Sequence, residues 1–159
     1  MAQVAFIAGD VSRDSLAADS DWAGPFYSRL MRFTNYSNGY DTVLAVSNAK
    51  RLGVAPRAGR VGLPVPPAEK SVNVDCSEFF SHIDPKKQPA FGTFCHSWHI
   101  GNPVWTRDFA MTLQGSIDRK DIPTRRFDSQ RGLVLQNAPR PANEAAWMVA
   151  RADEVSKPK

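Results

Sequence analysis

The chain has few of the sequence features that are typical of secreted or membrane-spanning proteins. Only two of its 159 residues are cysteines, Cys76 and Cys95, and they form no spacing motif. No apolar run approaches the roughly 18 residues of a membrane span, and no signal-peptide pattern opens the sequence. We therefore predict a cytoplasmic protein without a membrane span.

Long runs of one charge are also absent. The net charge is +4, and acidic residues interrupt the densest basic segments, Lys86-Lys87 and 119–126. A nucleic-acid interface needs a denser basic stripe with interleaved aromatic residues. The composition therefore predicts no nucleic-acid partner, whereas a hydrophobic content of 42% is enough for a core.

The order of apolar segments and turn residues indicates an α/β fold. Short apolar runs predict strands, and apolar residues at helical spacing between them predict helices on a parallel sheet. The expected fold has three parallel strands with flanking helices in residues 1–115. Residues 116–159 are expected to form an irregular basic extension with a short terminal helix over 143–154. The predicted strands are Val4–Ala8, Phe33–Tyr36 and Val72–Asp75, and the main predicted helices are Phe26–Met31, Thr42–Leu52 and Val104–Gln114.

The first predicted strand, Val4–Ala8, is a continuous apolar run of the kind found in strands buried on both faces. It stands almost at the first residue, so its outer neighbour must come from elsewhere. We expect an exposed edge that makes the isolated chain oligomeric or poorly soluble.

Two helices carry clear start and stop signals. Asp41 is placed to cap the helix from Thr42, and Gly53 follows its predicted end. Asn102-Pro103 opens the next long helix with a capping residue and a proline, and Gly115 ends it. These signals predict where the loops at the sheet edge begin and end.

Asp41 and His96 are the candidate catalytic residues. Asp41 follows a predicted strand, and His96 lies in a later loop between Phe94 and Trp98. A carboxylate that orients an imidazole, so that its other nitrogen can accept a proton, forms the acid and base of a catalytic triad. Asp10, which also follows an apolar strand, is the rival acid.

No cofactor or metal is predicted. Cys95, His96 and His99 lie close in sequence, and Asp108 could add a fourth ligand, but the spacing does not match a zinc site.

A nucleophile elbow is missing from the sequence. The pattern Gly-x-Ser-x-Gly between a strand and a helix does not occur, and only Ala45-Val-Ser47-Asn-Ala49 meets its relaxed form. If Thr42–Val46 were a strand, Ser47 would be the nucleophile for His96. The capping signals at Asp41 favour the alternative, in which Ser47 lies within a helix.

Several short motifs follow one another in a familiar order. They are Phe6-Ile-Ala-Gly-Asp10, Thr34-Asn-Tyr36-Ser37-Asn-Gly-Tyr-Asp41 with Leu44 and Ser47 behind it, Arg57-Ala-Gly59, Val72-Asn-Val-Asp75-Cys-Ser77, His96-Ser97-Trp98 and Asp108. Over residues 4–115 the chain resembles the C-terminal half of an α/β-hydrolase, and it is most similar to a bacterial branch of uncharacterised, esterase/lipase-like members of that family.

This resemblance implies that Asp41 is the acid and His96 the base of a serine hydrolase acting on an ester, thioester or amide of a small acyl substrate. It also implies that the nucleophile elbow lies upstream of Met1, in a missing N-terminal half or on a partner chain. We therefore expect this chain alone to be inactive. Two departures from the family pattern are Cys95, where a glycine is usual, and residues 116–159.

A second hypothesis is a non-catalytic remnant that binds a partner protein. It depends on the basic segment 116–159, in which Trp147 would serve as an anchor.

Overall fold

The structure is a computed structural model that describes residues 3–82 and 96–146. Its strands are β1 (Gln3–Ile7), β2 (Arg32–Ser37), β3 (Ser71–Asp75), β4 (Arg125–Asp128) and β5 (Gly132–Leu135). Its α-helices are α1 (Ala23–Ser28), α2 (Thr42–Ala49), α3 (Ala58–Val61), α4 (Ser77–Ser81) and α5 (Pro103–Gln114), and a 3₁₀ helix spans Asp14–Leu16.

One mixed sheet contains these five strands in the order β1-β2-β3-β5-β4. β1, β2, β3 and β5 run parallel, and β4 pairs antiparallel with β5 at one edge. The predicted α/β class and the three predicted parallel strands are therefore confirmed. Because the parallel strands share one direction, their carboxyl ends lie at the same edge of the sheet, where α/β proteins bind ligands.

The sheet is larger than the predicted three strands. Segment 125–135 supplies β4 and β5, and β5 pairs directly with β3 through Val74↔Leu133 and Asp75↔Val134. β4 was not predicted from the sequence. Three of its four residues, Arg125, Arg126 and Asp128, are charged, and such a segment is more typical of a loop than of a strand.

β1 is an edge strand of the described sheet, and the expected burial on both faces is only partial. Ala5 and Ile7 pack against the apolar cluster on one face, and Val4 and Phe6 against the cluster on the other. All five of its residues are only partly buried, and β2 is its one neighbour among the described strands. An apolar run alone does not distinguish a central strand from an edge strand, because the difference depends on which strands pair.

The predicted helix signals for α2 and α5 are confirmed. Asp41 Oδ1 accepts a hydrogen bond from the Leu44 N–H at 2.9 Å at the start of α2. Asn102 Oδ1 caps α5 in the same way, and Gly115 ends that helix in the left-handed conformation at φ 71°. α2 ends at Ala49, earlier than the predicted Leu52.

Apolar side chains pack on both faces of the sheet. On one face, α4, α5 and the loop around Trp98 cover the central strands, and on the other the 3₁₀ helix, α1 and α3 cover β1 and β2. The first cluster contains Tyr36, Val74, Cys76, Phe80, Trp98 and Trp105, and the second contains Leu16, Leu30, Phe33, Ala58 and Leu63.

Several sequence predictions lie outside the described residues. These are Cys95, the Lys86-Lys87 pair and the anchor residue Trp147. Of the predicted terminal helix, residues 144–146 are helical, and its remainder also lies outside the described part.

Candidate active site

Asp41 lies in the turn between β2 and α2, at the carboxyl edge of the sheet. Its side chain is fully buried, and its backbone N–H donates to the Asn38 carbonyl at 3.0 Å. Oδ1 is occupied by the cap to Leu44, which leaves Oδ2 free to face another group. The helix cap therefore fixes the direction in which the second oxygen points.

His96 meets this second oxygen. Its Nδ1 lies 2.9 Å from Asp41 Oδ2, and the imidazole is 41% exposed. Trp98, two residues later, is buried and packs edge-on against Phe80 of α4 at 5.0 Å between ring centroids. The loop that carries His96 is thus anchored in the core beside the carboxylate.

This geometry suits a general base. The Asp41 carboxylate can accept a hydrogen bond from Nδ1–H of the neutral imidazole, and the tautomer that makes this bond presents an unprotonated Nε2. Among the described residues, Asp41 is the hydrogen-bond partner of His96, and none bonds to Nε2. The free nitrogen of a half-exposed ring can accept a proton from an approaching hydroxyl group.

Helix α3 holds the two neighbouring strand ends together. The Gly59 N–H donates to the Gly9 carbonyl at 3.0 Å, and the Gly59 carbonyl accepts from the Asn38 N–H at 2.9 Å. A Cβ at Gly59 would overlap Gly9 N and the Ala8 carbonyl carbon. No helix is predicted from the sequence over residues 58–61, although the Arg57-Ala-Gly59 motif marks this segment.

Asp10, the rival acid, faces other partners. Its Oδ1 lies 3.1 Å from Nε of Arg57, which is itself buried, and both of its carboxylate oxygens accept from Ser47 Oγ, at 2.8 and 3.0 Å. The structure therefore brings His96 to Asp41, and it places Asp10 in a separate polar cluster.

Ser47 lies within α2, so the strand Thr42–Val46 on which the elbow alternative depended is wrong. Its hydroxyl donates to Asp10 and accepts from Arg51 Nη1 at 2.6 Å. A helical serine that already donates its proton to a carboxylate lacks the exposed, strained turn of a nucleophile elbow.

His99 packs beside the site between two tryptophans. Its ring lies 4.7 Å from Trp105 and 5.2 Å from Trp98, measured between centroids. Burial lowers the pKa of His99 from its ordinary value, and the neighbouring His96 lowers it further, while Asp41 opposes the shift. The environment therefore favours a neutral His99.

Asp108 belongs to a buried polar network. Its carboxylate pairs with Arg125, at 2.6 Å between Oδ1 and Nη2, and neither side chain is exposed. Tyr36 donates to Asp108 at 2.7 Å, and Thr124 donates at 2.6 Å. The network joins α5 to β2 and β4, and burial raises the pKa of the Tyr36 hydroxyl well above its ordinary value.

An open groove of about 1120 Å³ lies over β3, β5 and β4. Asn73, Asp75 and Leu133 line it from the sheet, and Gly39 and Ser77 line it near the carboxyl ends of the strands. Neither Asp41 nor His96 is among its lining residues, so the groove is distinct from the acid–base pair.

The comparisons with known proteins give no match. No family model matches the chain, and no match to it was found among the curated proteins or the solved structures. Within residues 3–82 and 96–146, no helix combines the length and apolarity of a membrane span, and no three His, Cys, Asp or Glu side chains are grouped to hold a metal ion.

Proposed function

We propose that this chain is the C-terminal portion of a serine-hydrolase-like α/β-hydrolase, in which Asp41 is the acid and His96 the base. The observation that carries the proposal is the contact of 2.9 Å between Nδ1 of His96 and Oδ2 of the buried Asp41. The two residues are 55 positions apart, and they meet at the sheet edge where hydrolytic sites of α/β proteins lie.

The proposed chemistry is acyl transfer to a serine and then to water. Nε2 of His96 takes the hydroxyl proton as the serine oxygen attacks the carbonyl carbon of an ester, thioester or amide. The same nitrogen returns the proton to the leaving group, and an acyl-serine forms. Water then repeats the sequence, releasing the acid and restoring the serine. Asp41 stabilises the imidazolium at each proton transfer and does not itself become protonated.

The nucleophile of this scheme comes from outside the described residues. Ser47 is engaged with Asp10 and Arg51, and no other described hydroxyl bonds to His96. We propose that an N-terminal half or a partner chain supplies a serine on an elbow, together with the oxyanion hole and the acyl pocket. The chain by itself is then expected to be inactive.

The first test is fluorophosphonate labelling of the purified chain, with mass mapping of any adduct. The expected result is no adduct. An adduct on Ser47 would contradict the proposal, because the chain would then contain its own nucleophile.

The second test uses the DNA that precedes the start codon. An in-frame segment that encodes strands and Gly-x-Ser-x-Gly is expected, and the extended chain should react with the fluorophosphonate at that serine. His96→Gln should lower the labelling rate by at least about 10³-fold, since the base is lost. His99→Gln, three residues further along the same loop, does not touch the contact between His96 and Asp41, so it is the matched control and should retain labelling.

A further inference from the structure

The two edges of the sheet differ in how they are protected. At the β4 edge, Arg126 forms ion pairs with Asp128 and with Glu78. Charged side chains of this kind hinder the addition of another strand. β1 carries no charged residue, since its sequence is Gln-Val-Ala-Phe-Ile, and among the strands of residues 3–82 and 96–146 only β2 pairs with it.

The outward-facing backbone groups of β1 can be identified from one hydrogen bond. The Ala8 N–H donates to the Tyr36 carbonyl. Because strand residues alternate in direction, Phe6 and Val4 also direct their N–H and C=O groups to β2. The alternate residues, Gln3, Ala5 and Ile7, direct theirs to the open side. No other strand in the described part of the chain pairs with these groups, so β1 presents there a regular row of donors and acceptors.

We propose that β1 is a homodimer interface, at which the β1 strands of two copies pair antiparallel about a twofold axis at Ala5. In this register Gln3 faces Ile7 of the second copy, and Ala5 faces its own counterpart. Each of these pairs exchanges two N–H···O bonds. The result is one continuous sheet across both copies. The proposal concerns the chain as given, because strands supplied by an N-terminal half, as in the proposed function, would compete for the same edge of β1.

The side chains of β1 suit this pairing. Val4 faces Phe6 of the second copy, and an aromatic residue opposite a β-branched one stabilises an antiparallel pair. Val4 and Phe6 already pack at the border of the apolar cluster beneath α1. No like charges meet across the axis, since Gln3 to Ile7 contain no charged residue.

The expected affinity is modest. A ladder of five residues spans about 17 Å, which alone covers less than the roughly 800 Å² per partner of a standard interface. Trp22, which is 49% exposed and stacks on Phe26 beside Phe6, offers further apolar surface. The dimer should therefore dissociate on dilution.

Sedimentation of the full chain from about 1 µM to about 1 mM tests the proposal. A concentration-dependent monomer–dimer equilibrium is expected. Ala5→Pro removes an outward N–H and leaves the bonds to β2 intact, as proline is tolerated where an edge N–H faces solvent. It should weaken dimerisation at least about tenfold.

Phe127→Pro on the opposite edge is the matched control. Because the Gln136 N–H donates to the Thr124 carbonyl, the Phe127 N–H points away from β5. This variant should dimerise within about twofold of the original chain. Equal weakening by both prolines, or a monomer at every concentration, would overturn the proposal.

Amide hydrogen exchange of the unaltered chain is an independent test of the β1 interface. The amides of Ala5 and Ile7 should become more protected as the concentration rises, while those of Val4 and Phe6 stay protected throughout. If Ala5 and Ile7 exchange at the same rate at all concentrations, the dimer, if one forms, uses another surface and the proposal fails.

Discussion

The backbone of Gly59 bonds to both neighbouring loops at the carboxyl edge of the sheet, and its carbonyl accepts the N–H of Asn38 at 2.9 Å. Asn38 in turn accepts the backbone N–H of Asp41. A helix of four residues, α3, thus sets the position of the turn that carries the candidate acid.

Gly59→Ala should destabilise the fold by about 1–3 kcal/mol, because the new Cβ would overlap backbone atoms of Ala8 and Gly9. Gly24→Ala in α1 is the control, since nothing lies within 4 Å of its Cβ, and it should be neutral or stabilise by up to about 1 kcal/mol. Urea unfolding measures both. Equal effects would show that the close approach at Gly59 does not constrain the strand ends.

Asp41→Asn should preserve the cap of α2 and change the tautomer of the His96 imidazole. Asparagine caps helices about as well as aspartate, whereas Asp41→Ala should cost about 1–2 kcal/mol. The carboxamide can donate to Nδ1 of His96, which would move the ring proton to Nε2. ¹⁵N NMR of the ring nitrogens reads the tautomer directly. An unchanged tautomer in Asp41→Asn would contradict the role assigned to this carboxylate.

Arg125→Met should destabilise the protein by about 3–5 kcal/mol, because it leaves Asp108 buried without its cation. Asp108→Leu combined with Arg125→Met should cost less than the sum of the single changes. Arg126→Met, the neighbouring position on β4, is the control. Its ion pairs are 40% exposed on the arginine side, and their loss should cost under about 1 kcal/mol. Denaturant unfolding of the four variants tests this ordering.

The free energy of unfolding should fall on acidification because of His99. Its folded pKa is lower than the unfolded value of 6.5, so its contribution is present above pH 6.5 and is lost as the pH falls through the folded pKa. His99→Gln should lose less stability between pH 7.5 and acidic pH than the original chain does. In an NMR titration, His96→Gln should raise the His99 pKa, because the charge of His96 is one cause of its depression. A His99 pKa at or above 6.5 in the unaltered chain would contradict this account.

Much of the fold could be predicted because its signals are local. The Asp41 and Asn102 caps, the left-handed Gly115 and the apolar runs of β1, β2 and β3 each depend on a few adjacent residues. β4 could not be predicted, since the pairing with β5 and the buried contacts of Arg125 with Asp108 and Tyr36 are not visible in its own four residues. α3 was missed for a similar reason: its four residues are ordered by bonds to the ends of β1 and β2.

The candidate site, like the fold, could be predicted from the sequence only in part. The sequence by itself determined that Asp41 caps a helix after a strand and that His96 follows in a loop, because capping and chain order are properties of short segments. Only the tertiary structure decided that His96 meets Asp41 rather than Asp10, that Ser47 bonds to Asp10, and that β1 lies at an open edge. These outcomes depend on which strands are neighbours, and strand order is set by packing and pairing between residues far apart in the chain.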